Sequence, residues 1–513
     1  MSLFESLLTL MLAAIVLLQL SRRLAVPYPT LLAMAGVAVA ALPWAPSIRI
    51  EPHLALALFI APALLDAAFD FAPRELRRHW APLIALAAVA VLLTAAAVAA
   101  LSVWWGLPLV AGVALGAIVA PPDAAAASTI IRQVALPRAT ASVLQGESLL
   151  NDAAALLIFS AAVTIATTGE PFAALAPGLV LAPIGGVIGG ALTGVAYLQL
   201  LPFLAGTLGG TLFEFVSTFG VWIIAERLGL SPILAVVAFG MVLARGAPER
   251  HSPRDRVRSY SVWEAVVFLL NVLAFLLMGI QGREIVNRLP SAELWDAALF
   301  ALAVLGVVIA VRFAWVMAYG RIASLIVRWR GRGTAPTVAQ GIAVSWCGMR
   351  GLITLATALA LPPGFPHRDL IALAAFATVL GTLVGQGLTL APLIRLLRFE
   401  RDGTFDKELV AARVELIEAA EAVLDKSDSR AARWLREELS AAARAATEAG
   451  RHPSAEGEAD ELRRAALAAK RKRLSELRRR GEIGDDVFHA LEEELDWAEL
   501  AASPPDRFET LEV

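Results

Sequence analysis

The chain is predicted to be an all-α polytopic membrane protein followed by a water-facing helical tail, and three observations carry that reading. Of its 513 residues, 58% are hydrophobic. Apolar runs of about 20 residues, the length that crosses a hydrocarbon core of about 30 Å, succeed one another from residue 3 to 398. No lysine occurs before Lys407, where charged sequence with apolar residues at helical spacing takes over.

Taken in order, the runs predict thirteen spans, over 3–20, 25–43, 53–71, 80–104, 107–133, 139–168, 176–202, 211–227, 231–245, 261–281, 294–318, 337–361 and 369–397. The first has only Glu5 near its start and no basic residue ahead of it, so it is expected to stay as structure and not to be removed as a signal peptide. Alternate loops hold Arg22 and Arg23, then Arg74, Arg77 and Arg78, then Arg132 and Arg138. The same side takes Arg245, Arg250, Arg254, Arg256 and Arg258, then Arg321, Arg328, Arg330 and Arg332, then Arg395, Arg398 and Arg401. The opposite loops hold Arg49, Arg227, Arg283, Arg288 and Arg368. Basic loops stay in the cytoplasm, so the N-terminus is expected outside and the C-terminus inside, with a bacterial inner membrane as the location. The boundary at about residue 400 divides a transmembrane domain, 1–400, from a cytoplasmic helical segment, 401–513.

Composition also excludes. Cys347 is the single cysteine and the six histidines are scattered without metal-ligand spacing, so no thiolate or histidine metal centre is expected. No phosphate-binding lysine loop is present, and the "GGVIGGALTG" run at 185–194 lies deep in a span, where it reads as close helix packing. No cofactor and no nucleic-acid partner are expected, and the net charge of −2 averages basic inner loops against a mixed tail.

An ionisable side chain costs about 2.5 kcal/mol or more at the centre of a span and therefore faces a partner or a polar cavity. The chain places Asp66, Asp123, Glu147, Asp152, Glu214, Glu264, Arg312 and Arg350 in its spans. In "LQGESLLNDAAALLIF", Ser148 and Asp152 are four apart on one helix face, whereas Glu147 lies about 140° away around the helix, so the two acids should have different neighbours. Counted from the inner ends at about 1.5 Å per residue, Glu147 is roughly 12 Å deep and Arg312 roughly 10 Å. Depth and charge pair them. Asp152, roughly 20 Å deep, matches Asp123 and Arg350 near the midplane. Asp66 lies near the inner end of its span, where it is a candidate ion-binding residue or reaches the interface, and Glu214, Glu264 and Asn271 read as helix-packing polar groups.

The fifth run, "LGAIVAPPDAAAAST", holds Pro121 and Pro122, which remove two backbone donors and should break the helix in mid-membrane. Carbonyls freed there, from Ala120 to Pro122, are candidate cation ligands beside Asp123, although Asp123 also suits a helix cap. The twelfth run, "AVSWCGMRGLITLATALAL", carries Gly348 and Gly351 around Arg350, which suits neutralisation of helix-end dipoles. Breaks in the fifth of spans 1–6 and the fifth of spans 8–13 suggest an inverted repeat.

These residues resemble the monovalent cation:proton antiporters, which include bacterial sodium/proton antiporters and eukaryotic sodium/proton exchangers. The resemblance rests on "GESLLND", on "AIVAPPDAAAAS" before it, on "LLDAAFDFAPRELRR", and on "RFAWVM" and "GMRGLITLA" in that order, and covers all thirteen spans. It implies a homodimeric thirteen-helix fold with a dimerisation domain, a mobile core domain and two crossing broken helices. It further implies that Asp152 binds either cation or proton beside Asn151, with Asp123, Ser148 and a main-chain carbonyl near Pro122 as further ion ligands. It makes Glu147 and Arg312 the buried stabilising pair. Asp66 stands where such proteins usually have glutamate and Pro122 where they usually have threonine, so the ion preference is left open.

The function expected is exchange of sodium, or another monovalent cation, for a proton across the lipid bilayer. Two carboxylates in one low-dielectric site repel each other, so a proton and a cation compete to neutralise them, and movement of the neutralised site alone makes exchange obligatory. Asparagine at position 151 adds no titrating charge, which points to an electroneutral exchange. Potassium/proton exchange is the runner-up. A channel and a membrane-embedded aspartyl enzyme are the readings from other classes, and the second leaves the paired breaks unexplained.

Overall fold

The computed structural model describes residues 3–24, 27–40, 54, 56–71, 73–123, 136–204, 207–251, 253–287, 293–330, 336–399, 404–424, 429–449, 453–480, 482 and 485–502. Among the expected loop arginines, Arg49, Arg132, Arg288, Arg332 and Arg401 lie outside these residues, as does 124–135, the second half of the fifth run. Among the described residues the chain is helical throughout, without strands.

The first half comprises α1 (Leu3–Leu24), α2 (Tyr28–Ala40), α3 (Ala61–Asp70, entered through a π-helical turn at Leu56–Ile60), α4 (Pro73–Arg78), α5 (Trp80–Trp104), α6 (Leu109–Val119) and α7 (Arg138–Thr168). Then follow α8 (Phe172–Leu204), α9 (Leu208–Arg227), α10 (Pro232–Arg250), α11 (Pro253–Asn287), α12 (Leu294–Arg330), α13 (Val338–Trp346), α14 (Leu352–Leu359) and α15 (Arg368–Leu397). A second compact unit, 401–512, holds α16 (Thr404–Leu424), α17 (Arg430–Ala449), α18 (Pro453–Arg479) and α19 (Asp485–Ala502).

Helices formed by α5, α7, α8, α11, α12 and α15 are long and apolar enough by themselves to cross a membrane; α2, α6 and stretches of α1, α3 and α10 are apolar but shorter. The shortfall in α6 has a plain cause: the helix ends at Val119, one residue before Ala120 and the Pro121–Pro122 pair. The twelfth apolar run is likewise divided, into α13 and α14, by Cys347 to Gly351.

Local sequence sets the ends. α13 opens on a capping box, Thr337 Oγ1 accepting from the Gln340 N–H at 3.2 Å while Gln340 Oε1 accepts from the Thr337 N–H at 2.8 Å. α7 closes on Gly169 in the left-handed region, φ 71°. α8 lies against α10 through Gly186, Gly190 and Gly194, four residues apart on one face; a Cβ at Gly186 would meet the Ser231 carbonyl at 2.6 Å.

Buried side chains form three main clusters. Tyr28, Phe275, Met278 and Leu383 join α2, α11 and α15. Leu65, Tyr197, Trp222, Phe239 and Trp263 join α3, α8, α9, α10 and α11, and reach Leu149 and Ala153 of α7. Leu115, Ile118, Phe300 and Val304 join α6 and α12. Exposed tryptophans sit at helix ends: Trp104 and Trp295 where α5 ends and α12 begins, Trp80 and Trp329 at their other ends. That is the amphipathic belt expected at two bilayer surfaces.

Candidate functional site

Glu147 and Arg312, paired from depth and charge alone, form a two-pronged ion pair: Arg312 Nη1 donates to Glu147 Oε1 at 2.6 Å and Nη2 to Oε2 at 3.1 Å. The side chains are 1% and 3% exposed. Such a fork is strong in a low-dielectric interior, and removal of one partner leaves an uncompensated charge. The guanidinium has a second acceptor that sequence reading did not find. Nε and Nη2 reach the Val344 carbonyl at 3.3 and 3.0 Å, one of the last carbonyls of α13, which lacks an intrahelical donor because the helix stops at Trp346. Three residues along α12, Trp315 Nε1 donates to the Ala85 carbonyl at 2.8 Å, where α5 becomes π-helical over Ala85–Ala90. Arg312 and Trp315 thus fasten α12 to α7, α13 and α5.

The end of α6 meets the interruption between α13 and α14. Asp123 N–H donates to the Met349 carbonyl at 2.7 Å, and Asp123 Oδ2 accepts from the Leu352 N–H at 3.3 Å. Its carboxylate therefore lies at the first residue of α14, where unsatisfied N–H groups and the helix dipole favour negative charge. Sequence reading had weighed Asp123 as a cap of its own segment; the helix it caps comes from the other break. Arg350 faces the other way. Its Nε donates to the Val119 carbonyl at 2.9 Å and Nη2 to Ala120 at 3.1 Å, while Nη1 donates to the Gly348 carbonyl. Its backbone N–H is held by Thr382 Oγ1 at 2.9 Å. The cation covers the carbonyl end of α6 as the anion covers the amide end of α14.

Both glycines of "CGMRG" serve these contacts. A Cβ on Gly348 would run into Arg312 Cδ and Nε, and one on Gly351 into the Asp123 carboxylate.

α7 delivers the rest. Asn151, fully buried, donates from Nδ2 to the Pro122 carbonyl at 3.0 Å, the main-chain group expected to face a cation. Asn151 Oδ1 is buried with no hydrogen-bond partner. Asp152 is 3% exposed, and the charged groups acting on it are the Asp123 and Glu147 carboxylates. Ser148 is half-buried one turn before Asp152, and Asp66 is half-buried on α3, a helix that touches α7 and α10. Among the described residues no three His, Cys, Asp or Glu side chains converge as a resident metal site would require. What the arrangement offers is a group of oxygens near the end of α6: the Asp152 carboxylate, on which Asp123 acts, and the unpartnered carboxamide oxygen of Asn151.

Comparison with known proteins bears on what such a pocket is for. Residues 8–396 match the family described as sodium/hydrogen exchanger, transmembrane. An uncharacterised Na+/H+ exchanger of Mycobacterium tuberculosis (strain ATCC 25618 / H37Rv) is 30% identical over 412 residues, 78% of this chain and 76% of that protein. The Na+/H+ antiporter ApNhaP of Aphanothece halophytica is 30% identical over 403 residues, 76% and 74% of the two chains. A sodium, potassium, lithium and rubidium/H+ antiporter of Bacillus subtilis (strain 168) is 28% identical over 391 residues, 70% and 56%. Among solved structures, the sodium proton antiporter MjNhaP1 from Methanocaldococcus jannaschii superposes with a TM-score of 0.59 at 16% identity, covering 78% of this chain and all of that one, which shows a shared fold.

Proposed function

Because this chain belongs to the transmembrane sodium/hydrogen exchanger family, whose members are integral membrane transporters and not enzymes, we propose that it exchanges sodium for a proton at one site built on Asp152. The observation that carries the proposal is the electrostatic surroundings of Asp152: a nearly buried carboxylate whose charged neighbours are other carboxylates, of which Glu147 is already neutralised by Arg312. Such a group is neutralised by a proton or by a small cation, and only one of them at a time.

Asp123, Ser148, Asn151 Oδ1 and the Pro122 carbonyl are the proposed companions of Asp152. Asn151 is supported by its orphaned buried oxygen, and Pro122 by its placement at the break, where Asn151 Nδ2 holds its carbonyl in line. Asp66 of α3 is proposed as a further ion-binding residue, and Arg350 as the group that steadies the crossing. Alternating access follows if the part bearing α6, α7, α13 and α14 moves only when the site is neutral. Residues 1–400 form the transport domain on this reading and 401–513 a cytoplasmic tail. A homodimer in a bacterial inner membrane, N-terminus outside, is the proposed assembly; the orientation rests on the loop arginines.

Potassium/proton exchange is the second reading, favoured by the Bacillus subtilis relative, whose name includes potassium. The test is dequenching of a pH-sensitive dye in proteoliposomes on addition of sodium, lithium or potassium in turn. A response to sodium supports the first reading, a response to potassium alone the second, and no response to any of the three refutes cation/proton exchange.

A further inference from the structure

α14 is eight residues long, and its own backbone closes it weakly at both ends. Leu355 N–H reaches the Gly351 carbonyl at 3.5 Å, and beyond the last turn Leu361 N–H reaches the Ala358 carbonyl at 3.4 Å. A helix of two turns is marginal by itself, so what holds α14 comes from outside it. At its first residue that support is Asp123, whose Oδ2 accepts from the Leu352 N–H. At its last residue it is a side chain outside the ion pocket. Arg368, the first residue of α15, reaches back over the end of α14: Nε donates to the Leu361 carbonyl at 2.8 Å and Nη2 to the Leu359 carbonyl at 3.3 Å.

The connection over 360–367 is shaped for this contact. Leu361 and Phe365 are buried in the cluster that joins α6 and α12. Gly364 (φ 91°) and His367 (φ 53°) take left-handed backbone conformations, and the Phe365 carbonyl accepts from the Arg368 N–H at 3.2 Å. A residue with a side chain rarely adopts such a φ, so at His367 the chain bends against its local preference to deliver the arginine. Arg368 also belongs to the arginine-poor set of loops, where orientation in the membrane calls for no cation. Opposite charges thus bracket one short helix, the anion at its amide end and the cation at its carbonyl end, each complementing the helix dipole. The two ends are about 10 Å apart. Between them Thr354, Leu355, Ala356, Thr357 and Ala358 are buried, packed with α6, α11 and α15.

We infer that Arg368 is a positioning residue for the ion pocket and acts on it through α14. Its fork fixes the carbonyl end of the helix, and a helix fixed there presents the Leu352 N–H where it meets Asp123. Without the fork the last turn loses two external donors, α14 frays toward Gly351, and the bond from Leu352 to Asp123 weakens with it. The effect on cation binding rests on the exchange reading, in which Asp123 is an ion ligand, whereas the coupling between the two ends of α14 does not.

The test therefore has two arms. The first is hydrogen–deuterium exchange of the full chain in detergent. In Arg368→Met the peptide covering Leu352–Leu359 should exchange about three- to tenfold faster than in the wild type, the size expected for loss of a charge at a helix end, while peptides of α7 and α12 keep their rates. Arg368→Lys, which keeps the charge without the fork, should fall between, and it carries the comparison should Arg368→Met not fold. Unchanged protection of this peptide, or an equal rise throughout the bundle, overturns the inference. The second arm measures exchange in proteoliposomes. The sodium KM of Arg368→Met should rise about three- to tenfold, turnover at saturating sodium should fall by less, and Arg368→Lys should recover part of the KM. A KM that stays put while α14 loosens or the melting temperature drops makes Arg368 a support of the fold and rejects its role at the pocket. Absence of exchange in the wild type, with α14 loosened by Arg368→Met, rejects the transport reading and leaves the coupling along α14 standing.

Discussion

Asp123, which follows the end of α6, caps the start of α14, its Oδ2 accepting from the Leu352 N–H at 3.3 Å, with Gly351 directly beneath its carboxylate. A methyl group at Gly351 has no space unless Asp123 moves. Gly351→Ala is therefore expected to cost about 1–3 kcal/mol, the usual range for overpacking, and to slow exchange more than it lowers stability. Melting in detergent and dye dequenching measure the two effects, and normal exchange by Gly351→Ala would show that Asp123 need not hold this position.

Arg312→Ala leaves Glu147 buried and unpaired and frees the Val344 carbonyl. By analogy with soluble interiors the loss is about 3–5 kcal/mol. The melting temperature or yield should fall, and Glu147→Ala added to it should restore part of the loss. An unchanged melting temperature for Arg312→Ala speaks against the pair as a support.

Asp152→Asn keeps the size of the side chain and removes its charge. The protein should fold as the wild type does, judged by gel filtration and melting, and exchange should be lost. Exchange at the normal rate would move the site elsewhere.

These three expectations draw on sequence to different degrees. Glu147 and Arg312 were legible because depth along two long helices is countable and their charges are opposite. The breaks were legible because two adjacent prolines end a helix wherever they stand, and because Gly348 and Gly351 flank a buried arginine. The contacts across the breaks were not. That Asp123 caps α14, that Arg350 covers Val119 and Ala120, and that Arg312 takes the Val344 carbonyl are all bonds to backbone groups. A sequence does not say which carbonyl lies opposite a side chain. Thirteen apolar runs were read as spans, and runs shortened by interruption, such as that ending at Val119, are where length and composition alone fall short.

Removing the tail should leave exchange intact, because every proposed ligand precedes residue 401. A truncate ending at Glu400 is expected to exchange at a rate close to that of the full chain in proteoliposomes, with a change confined to its pH dependence or stability. A folded but inactive truncate would make the tail part of the machinery.

Voltage should not matter to the exchange. Asn151 adds no titrating charge to the pocket, and mutual repulsion keeps Asp123 and Asp152 from both titrating over one narrow pH range. With the membrane potential clamped by potassium and valinomycin, the rate and reversal point of sodium/proton exchange should stay constant. A reversal point that moves with voltage means more than one proton per ion.

The positions of Arg350 and Arg312 bear on leakage. Arg312 cancels Glu147, and Arg350 is lodged among the Val119, Ala120 and Gly348 carbonyls, so the charged groups that act on Asp152 are carboxylates. On the proposed mechanism, an ionised Asp152 with nothing bound leaves its site with negative charge in excess. Moving an uncompensated charge through a low-dielectric interior costs several kcal/mol even after relaxation, and about 1.4 kcal/mol is tenfold in rate. If exchange runs through this site as proposed, an empty carrier is expected to turn over more slowly than a loaded one by orders of magnitude, and idle cycling would not dissipate a sodium gradient. Tightness of coupling would then follow from where the two buried arginines are anchored, one on Glu147 and the other on backbone carbonyls, which leaves Asp152 to be neutralised by the transported ion or a proton.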